Sequence, residues 1–261
     1  MPELLEAEAA RTCIEAFALR RTIASVDASD HWYLKRGVTA AAIAGALVGR
    51  TFIAARRIGK QLLVDTSRSG PTLGLHLGMS GRVVVDGVAA GDPLVYASNR
   101  DDVAWYRFVV RFRDGGMLGL RDPRRLGGVE LDPDETRFGP DATAITTTQF
   151  ANALRSSGPV KAALMNQARI AGLGNLLTDE ALWRAGIQPG RRAEELTPTE
   201  RAALLRAVRT TLRTLGRRGG SHTGDLMDAR VPGGCCPKDG MALQRGTVGG
   251  RTTYWCPQHQ R

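Results

Sequence analysis

Val160-Lys-Ala-Ala-Leu-Met-Asn-Gln-Ala-Arg-Ile-Ala-Gly-Leu-Gly-Asn-Leu-Leu-Thr-Asp-Glu-Ala-Leu-Trp-Arg-Ala-Gly-Ile-Gln-Pro189 is the stretch on which the fold turns. It reads as helix, glycine-broken turn, helix, with helices predicted over 160–167 and 175–185. Gly172 and Gly174 let the backbone approach a ligand closely. Asn175 opens the second helix, whose unpaired N–H groups suit a phosphate. Read without a ligand, the same residues make an αα-hairpin capped by Asn175.

Further helices are predicted on either side. One covers 147–156, and Gly158-Pro159 separates it from the next. Another covers 199–215, with Leu204, Leu205, Val208, Leu212 and Leu215 on one face and Gly216 as its stop. Upstream of about Pro133 the texture changes. Residues 3–20 read as a helix, with Ala10, Cys13, Ile14 and Phe17 at three- and four-residue spacing. Short strand runs follow at 51–65, 73–77, 82–85, 107–112 and 117–120. Asp114-Gly115-Gly116 marks a hairpin between the last two. Such runs argue for a sandwich or barrel. The expected class is α+β. An N-terminal helix and β-sandwich occupy 1–133, a helical domain 134–225, and a small Cys/His hairpin 226–261.

The chain has 261 residues, 43% of them hydrophobic and 24% charged, which excludes disordered, collagenous and coiled-coil classes. No apolar run is long enough for a membrane span, and the first residues do not resemble a signal peptide. The expected location is the cytoplasm, with no membrane partner. Net charge is +10, and only four of the 36 basic residues are lysines. Residues 191–261 carry 13 basic against 6 acidic side chains. That balance points to a polyanionic partner such as nucleic acid. Cys13 stands alone, while Cys235, Cys236 and Cys256 crowd the tail, a pattern of metal binding more than of disulfides.

Three groups of residues carry chemistry. Pro2 would be a free secondary amine once the initiator methionine is removed. Such an amine is less basic than lysine and can attack an aldehyde-like carbon to form an iminium. Glu3 beside it could shuttle protons. The plain alternative is a helix start with proline and acids in the first turn. Lys60 lies in an apolar strand run, where a lysine ordinarily points to solvent. In the tail, Cys235, Cys236 and Cys256 stand close in sequence to Asp239 and His259, and which of them would share an ion is open from the residues alone. Zinc accepts cysteine, aspartate and histidine in one tetrahedral site. The two harder ligands should bind less tightly than cysteines would. Cys235 is a rival ligand.

Five segments, in order, resemble the formamidopyrimidine-DNA glycosylase / endonuclease VIII family. They are Met1-Pro-Glu-Leu-Leu-Glu-Ala-Glu8, Ile58-Gly-Lys-Gln-Leu-Leu63, Leu75-His-Leu-Gly-Met-Ser-Gly81, Asp122-Pro-Arg-Arg-Leu-Gly127 and the 160–189 helix-two-turn-helix. Leu5 and Ala7 depart from the usual proline and valine. The resemblance implies a base-excision repair glycosylase with abasic-site lyase activity, acting as a monomer on double-stranded DNA that carries a damaged base or abasic site. Pro2 would form the Schiff base with deoxyribose C1′, Glu3 would move protons, and Lys60 would bind a phosphate. Glu6 and Glu8 read as first-turn carboxylates, and the resemblance also allows Glu6 a place at the base pocket. Met79 and Leu126 would fill the gap left by an extruded nucleotide, and Arg124 would face the orphaned base. Leu126 replaces a phenylalanine and cannot stack. Lys161 and Asn175 would bind DNA from the helix-two-turn-helix. Arg251 would grip phosphates from a zinc-finger hairpin, with structural zinc on Cys236, Asp239, Cys256 and His259. The segment from Gly220 to Cys235 is short and lacks the tyrosine-glycine-arginine lead-in that precedes the finger. The rival reading is a non-catalytic or lyase-only binder of abasic or distorted DNA on the same scaffold.

Overall fold

The computed structural model describes residues 2–95 and 97–261. The chain folds as two compact units, 1–135 and 136–261. The Cys/His tail, expected as a third segment, is folded into the second unit.

The first unit begins with α1 (Leu4–Phe17), which buries Leu4, Ala7, Ala10, Cys13 and Ile14 on one face. Strand β1 (Ile23–Asp27) and helix α2 (Ala40–Leu47) follow. Then come β2 (Phe52–Ile58), β3 (Gln61–Thr66), β4 (Leu73–His76), β5 (Arg82–Val85), β6 (Val88–Ala89), β7 (Tyr106–Phe112), β8 (Met117–Arg121) and β9 (Gly128–Leu131). They form two antiparallel sheets, ordered β1-β7-β8-β5-β6 and β2-β3-β4-β9. Alternation puts Phe108, Val110 and Phe112 of β7 inside with Val83, Val85, Leu118 and Leu120. Phe52, Leu62, Val64, Leu73 and Leu75 of the other sheet share that core. Phe52 meets Phe112 edge to face at 6.0 Å, joining the two sheets.

Lys60 differs from its expected place inside a strand. It sits in the two-residue turn between β2 and β3, where Ile58 pairs with Gln61. Gly59 takes φ +57° there, a conformation open to glycine, and so ends the strand run.

The second unit contains α3 (Thr147–Ala153), α4 (Val160–Met165), α5 (Asn175–Ala185), α6 (Pro198–Arg218) and the hairpin β10 (Gln244–Val248)–β11 (Arg251–Trp255). Helix α6 starts with a capping box between Thr197 and Glu200 and buries Leu204, Leu205, Val208, Leu212 and Leu215. Its stop is Gly219, at φ +111°, not Gly216. A glycine inside a helix costs only about 1 kcal/mol, so the helix runs through Gly216 to the residue that must turn left-handed. No helix among the described residues is long and apolar enough to cross a membrane.

Candidate active site and nucleic-acid interface

Pro2 is buried immediately before α1. Glu3 is the N-cap of that helix and has no exposed surface. The Glu3 amide donates to Glu6 Oε2 at 2.7 Å, and a capping box joins the two residues. A buried carboxylate is thus held one residue from the proline. Glu8 has a structural task. It accepts from Arg57 at 2.9 Å and Arg11 at 2.8 Å. Burial would raise its pKa, but these two guanidinium bonds outweigh burial and lower it. Lys60 is half-buried in its turn.

Two loops of the first unit are built as one piece. They join β4 to β5 and β8 to β9. Asp122, fully buried, binds both. It accepts from Ser80 Oγ, next to Met79, and from the amides of Arg124 at 3.2 Å and Gly127 at 2.8 Å. A Cβ on Gly78 would lie 2.3 Å from the Leu126 carbonyl carbon, so only glycine lets the loops close up. Gly78 also has φ +59°. His76 Nδ1 accepts from the Gly78 amide at 3.1 Å, a structural role. Arg125 is tied to Asp30 at 2.5 Å. From this base Met79 and Leu126 project with 39% and 46% of their surface exposed, and Arg124 is exposed beside them. Exposed apolar side chains on a braced support are suited to insertion between bases.

Arg251 opens β11 directly after a two-residue turn, Gly249-Gly250, with φ +58° and +72°. Both values are those of a tight hairpin turn. Arg251 is exposed. The strand behind it is anchored on the helices of its own unit. Asn175 Nδ2 donates to the Thr252 carbonyl at 3.1 Å. Lys161 Nζ donates to Thr253 Oγ1 at 2.7 Å and to the Thr252 carbonyl at 3.3 Å. Lys161 corrects an expectation. Its side chain is completely buried and ion-paired to Asp179 at 2.7 Å, so it has no surface to offer DNA. Arg230 pairs with the other oxygen of Asp179 and lies over the Tyr254 ring at 5.4 Å. A buried ammonium needs such partners, because an uncompensated buried charge is costly.

Cys236, Asp239, Cys256 and His259 bring one ligand atom each within 4.8 Å of one another. Cys235 is outside the group, and its exposed thiol points to the Gly233 carbonyl. The spacings within the group suit an ion. Zn–S near 2.3 Å and Zn–N or Zn–O near 2.0 Å give tetrahedral edges of about 3.3–3.8 Å. His259 Nδ1 lies 3.2 Å from Asp239 Oδ2 and 3.6 Å from Cys236 Sγ. Cys256 Sγ lies 3.2 Å from Asp239 Oδ2. Each half is a tight turn. The Gly240 amide donates to the Cys236 carbonyl at 2.8 Å. Gln260 Oε1 accepts from the Cys256 amide at 2.8 Å while its Nε2 donates to the Ile187 carbonyl at 3.0 Å. The donor set, its closeness and its edge lengths fit zinc.

Two family models match the chain: the formamidopyrimidine-DNA glycosylase N-terminal domain over residues 1–129, and the formamidopyrimidine-DNA glycosylase H2TH domain over 137–225. The chain belongs to this family. It is 35% identical to the formamidopyrimidine-DNA glycosylase of Paracoccus denitrificans, with all of both chains covered. It is also 35% identical to that of Symbiobacterium thermophilum, over all of this chain and 89% of the relative. Among solved structures, the wild-type Lactococcus lactis Fpg in complex with DNA containing an oxidised pyrimidine matches with TM-score 0.83 and 26% identity, both chains covered in full. The same protein in complex with DNA containing Fapy-dG matches with TM-score 0.83 and 25% identity, over 99% and 100% of the two chains.

Within this formamidopyrimidine-DNA glycosylase fold, some residues that hold the site had no signal of their own in the sequence. Asp122 stands in the sequence only as one letter of the 122–127 motif, yet it braces both loops. Asp179 is one polar letter in a helix, yet its two oxygens pair with two cations, Lys161 and Arg230. Its full burial is visible only once α4, α5 and β11 have met. Trp183 and Gln260 likewise acquire partners only in the folded tail.

Proposed function

We propose that this family member is a base-excision repair glycosylase that removes a damaged base from double-stranded DNA and then cleaves at the abasic site. The damaged base is oxidised, ring-opened or otherwise modified. The observation that carries the reading is the pairing of a proline at position 2 with a buried glutamate fixed one residue later. The secondary amine attacks deoxyribose C1′ as the glycosidic bond breaks and the base departs. Ring opening gives an iminium, and elimination of the 3′ phosphate follows. Glu3 lends and takes protons at the sugar. Lys60 and Arg251 bind phosphates near the lesion, and the N-terminus of α5 at Asn175 binds the DNA backbone.

Extruding a base costs a few kcal/mol, so side chains that refill the stack favour the flipped state. Met79 and Leu126 take that part, and Arg124 faces the unpaired partner base. Leucine offers no stacking face, which leaves the refilling to bulk alone. Zinc held by Cys236, Asp239, Cys256 and His259 would order the tail, which is too short and glycine-rich to fold by burial. The ion's contribution is structural and the protein works as a monomer in the cytoplasm.

The test is base release from duplexes carrying an oxidised purine, a ring-opened purine or an oxidised pyrimidine. The reading expects release from at least one, followed by strand cleavage. Tight binding to all three without release of any base would favour the non-catalytic binder.

A further inference from the structure

We propose that Trp183 is an outer-sphere partner of the tail's metal ion, donating its indole N–H to the Cys236 sulfur and fixing the His259 tautomer with its carbonyl. The proposal rests on the four-ligand reading of the tail.

Trp183 lies in the last turn of α5 and is 4% exposed. Its indole nitrogen is a donor only, and when buried it needs an acceptor. The acceptor is Cys236 Sγ, at 3.3 Å. A phenylalanine would fill the same apolar cluster with Leu226, Cys236 and Cys256, but would leave the sulfur without this donor.

The backbone of the same residue acts on a second ligand. Carbonyls in the last turn of a helix lack the usual i+4 partner, and that of Trp183 keeps a bond from the Gly186 amide at 3.2 Å. The Trp183 carbonyl accepts from His259 Nε2 at 3.1 Å. A carbonyl cannot donate, so Nε2 carries the proton. Nδ1 is then left with a lone pair. Nδ1 is the nitrogen that faces Asp239 and Cys236. The tautomer that binds metal is therefore selected before the ion arrives.

Charge completes the arrangement. Two thiolates and a carboxylate exceed the charge of a divalent ion by one. Lys238 Nζ donates to the Trp183 carbonyl at 3.0 Å and sits 4.4 Å from the centroid of its ring. One tryptophan thus touches a cysteine ligand, a histidine ligand and a nearby cation. Outer-sphere hydrogen bonds of this kind typically change metal affinity by about 10–100-fold.

The experiment uses the full chain loaded with Co(II) or Zn(II). Wild type should bind one ion with thiolate-to-cobalt charge-transfer absorption. Trp183→Phe should weaken zinc about 10–100-fold against a competing chelator. It should also move the charge-transfer band to longer wavelength, because a sulfur without its hydrogen bond gives up charge more easily. Trp183→Met, which also lacks the N–H, gives a second reading should the phenylalanine variant misfold. Leu243→Ala trims a residue packed on the same cluster and should leave the band in place. Wild-type affinity and band position in both tryptophan variants would overturn the proposal. So would the same red shift in Leu243→Ala, which would reduce the effect to packing. A wild-type chain that binds neither ion removes the four-ligand reading itself, a failure seen before any variant is compared.

Discussion

Lys161 is a cation with no exposed surface, and its surroundings give it its role. It joins α4 to α5 through Asp179 and holds Thr252 and Thr253, the two residues after Arg251. Removing one member of a buried ion pair costs about 3–5 kcal/mol, because the remaining charge loses its partner. Lys161→Met should therefore lower unfolding free energy by about that much, less whatever Arg230 restores by its own bond to Asp179. Urea denaturation measures it. A loss below about 0.5 kcal/mol would show that the pair is not closed in solution. From sequence, Lys161 reads as a DNA contact only because the resemblance places it in the helix-two-turn-helix, although its neighbours Val160, Ala162, Ala163 and Leu164 are apolar. Asp179 lies eighteen positions further on, in another helix, so only the tertiary fold shows the pair.

At the scale of elements, much was legible. The start of α5 at Asn175, its end at Ala185 and the β7–β8 hairpin follow from local pattern and turn chemistry. Less legible were α2, β1 and β9. Helix α2 is a run of small apolar residues with little contrast between faces, and it is fixed by packing on Ile43 and Leu47. Strands β1 and β9 gain definition from partners distant in sequence, β7 and β4. The cap of α6 gives a pH prediction. Hydrogen bonds from Arg191 first, and then from the Thr197 amide, hold the Glu200 carboxyl at about 2. A depressed acid contributes stability that is present above its ordinary value of about 4.5 and lost as pH falls toward 2. Glu200→Gln should lower the Tm at pH 7, and the gap from wild type should close between these two values. A gap that persists unchanged at pH 2 would assign the effect to the cap's neutral hydrogen bonds instead.

For the whole molecule, a net charge of +10 dominated by arginine sets the terms of binding. Each phosphate neutralised releases counterions, so affinity for duplex DNA should fall steeply with salt. Arg251→Ala should lower affinity and reduce the slope of log affinity against log salt by about one. A slope equal to that of wild type would remove Arg251 from the phosphate contacts. The central claim is the proline nucleophile, and borohydride trapping on an abasic-site duplex tests it most directly. Wild type should form a covalent complex that survives denaturation. Protein with a tag fused ahead of Pro2, and Pro2→Gly with its less constrained amine, should bind the same duplex with little or no trapping. Undiminished trapping by the tagged protein would contradict the account and move the Schiff base to a lysine.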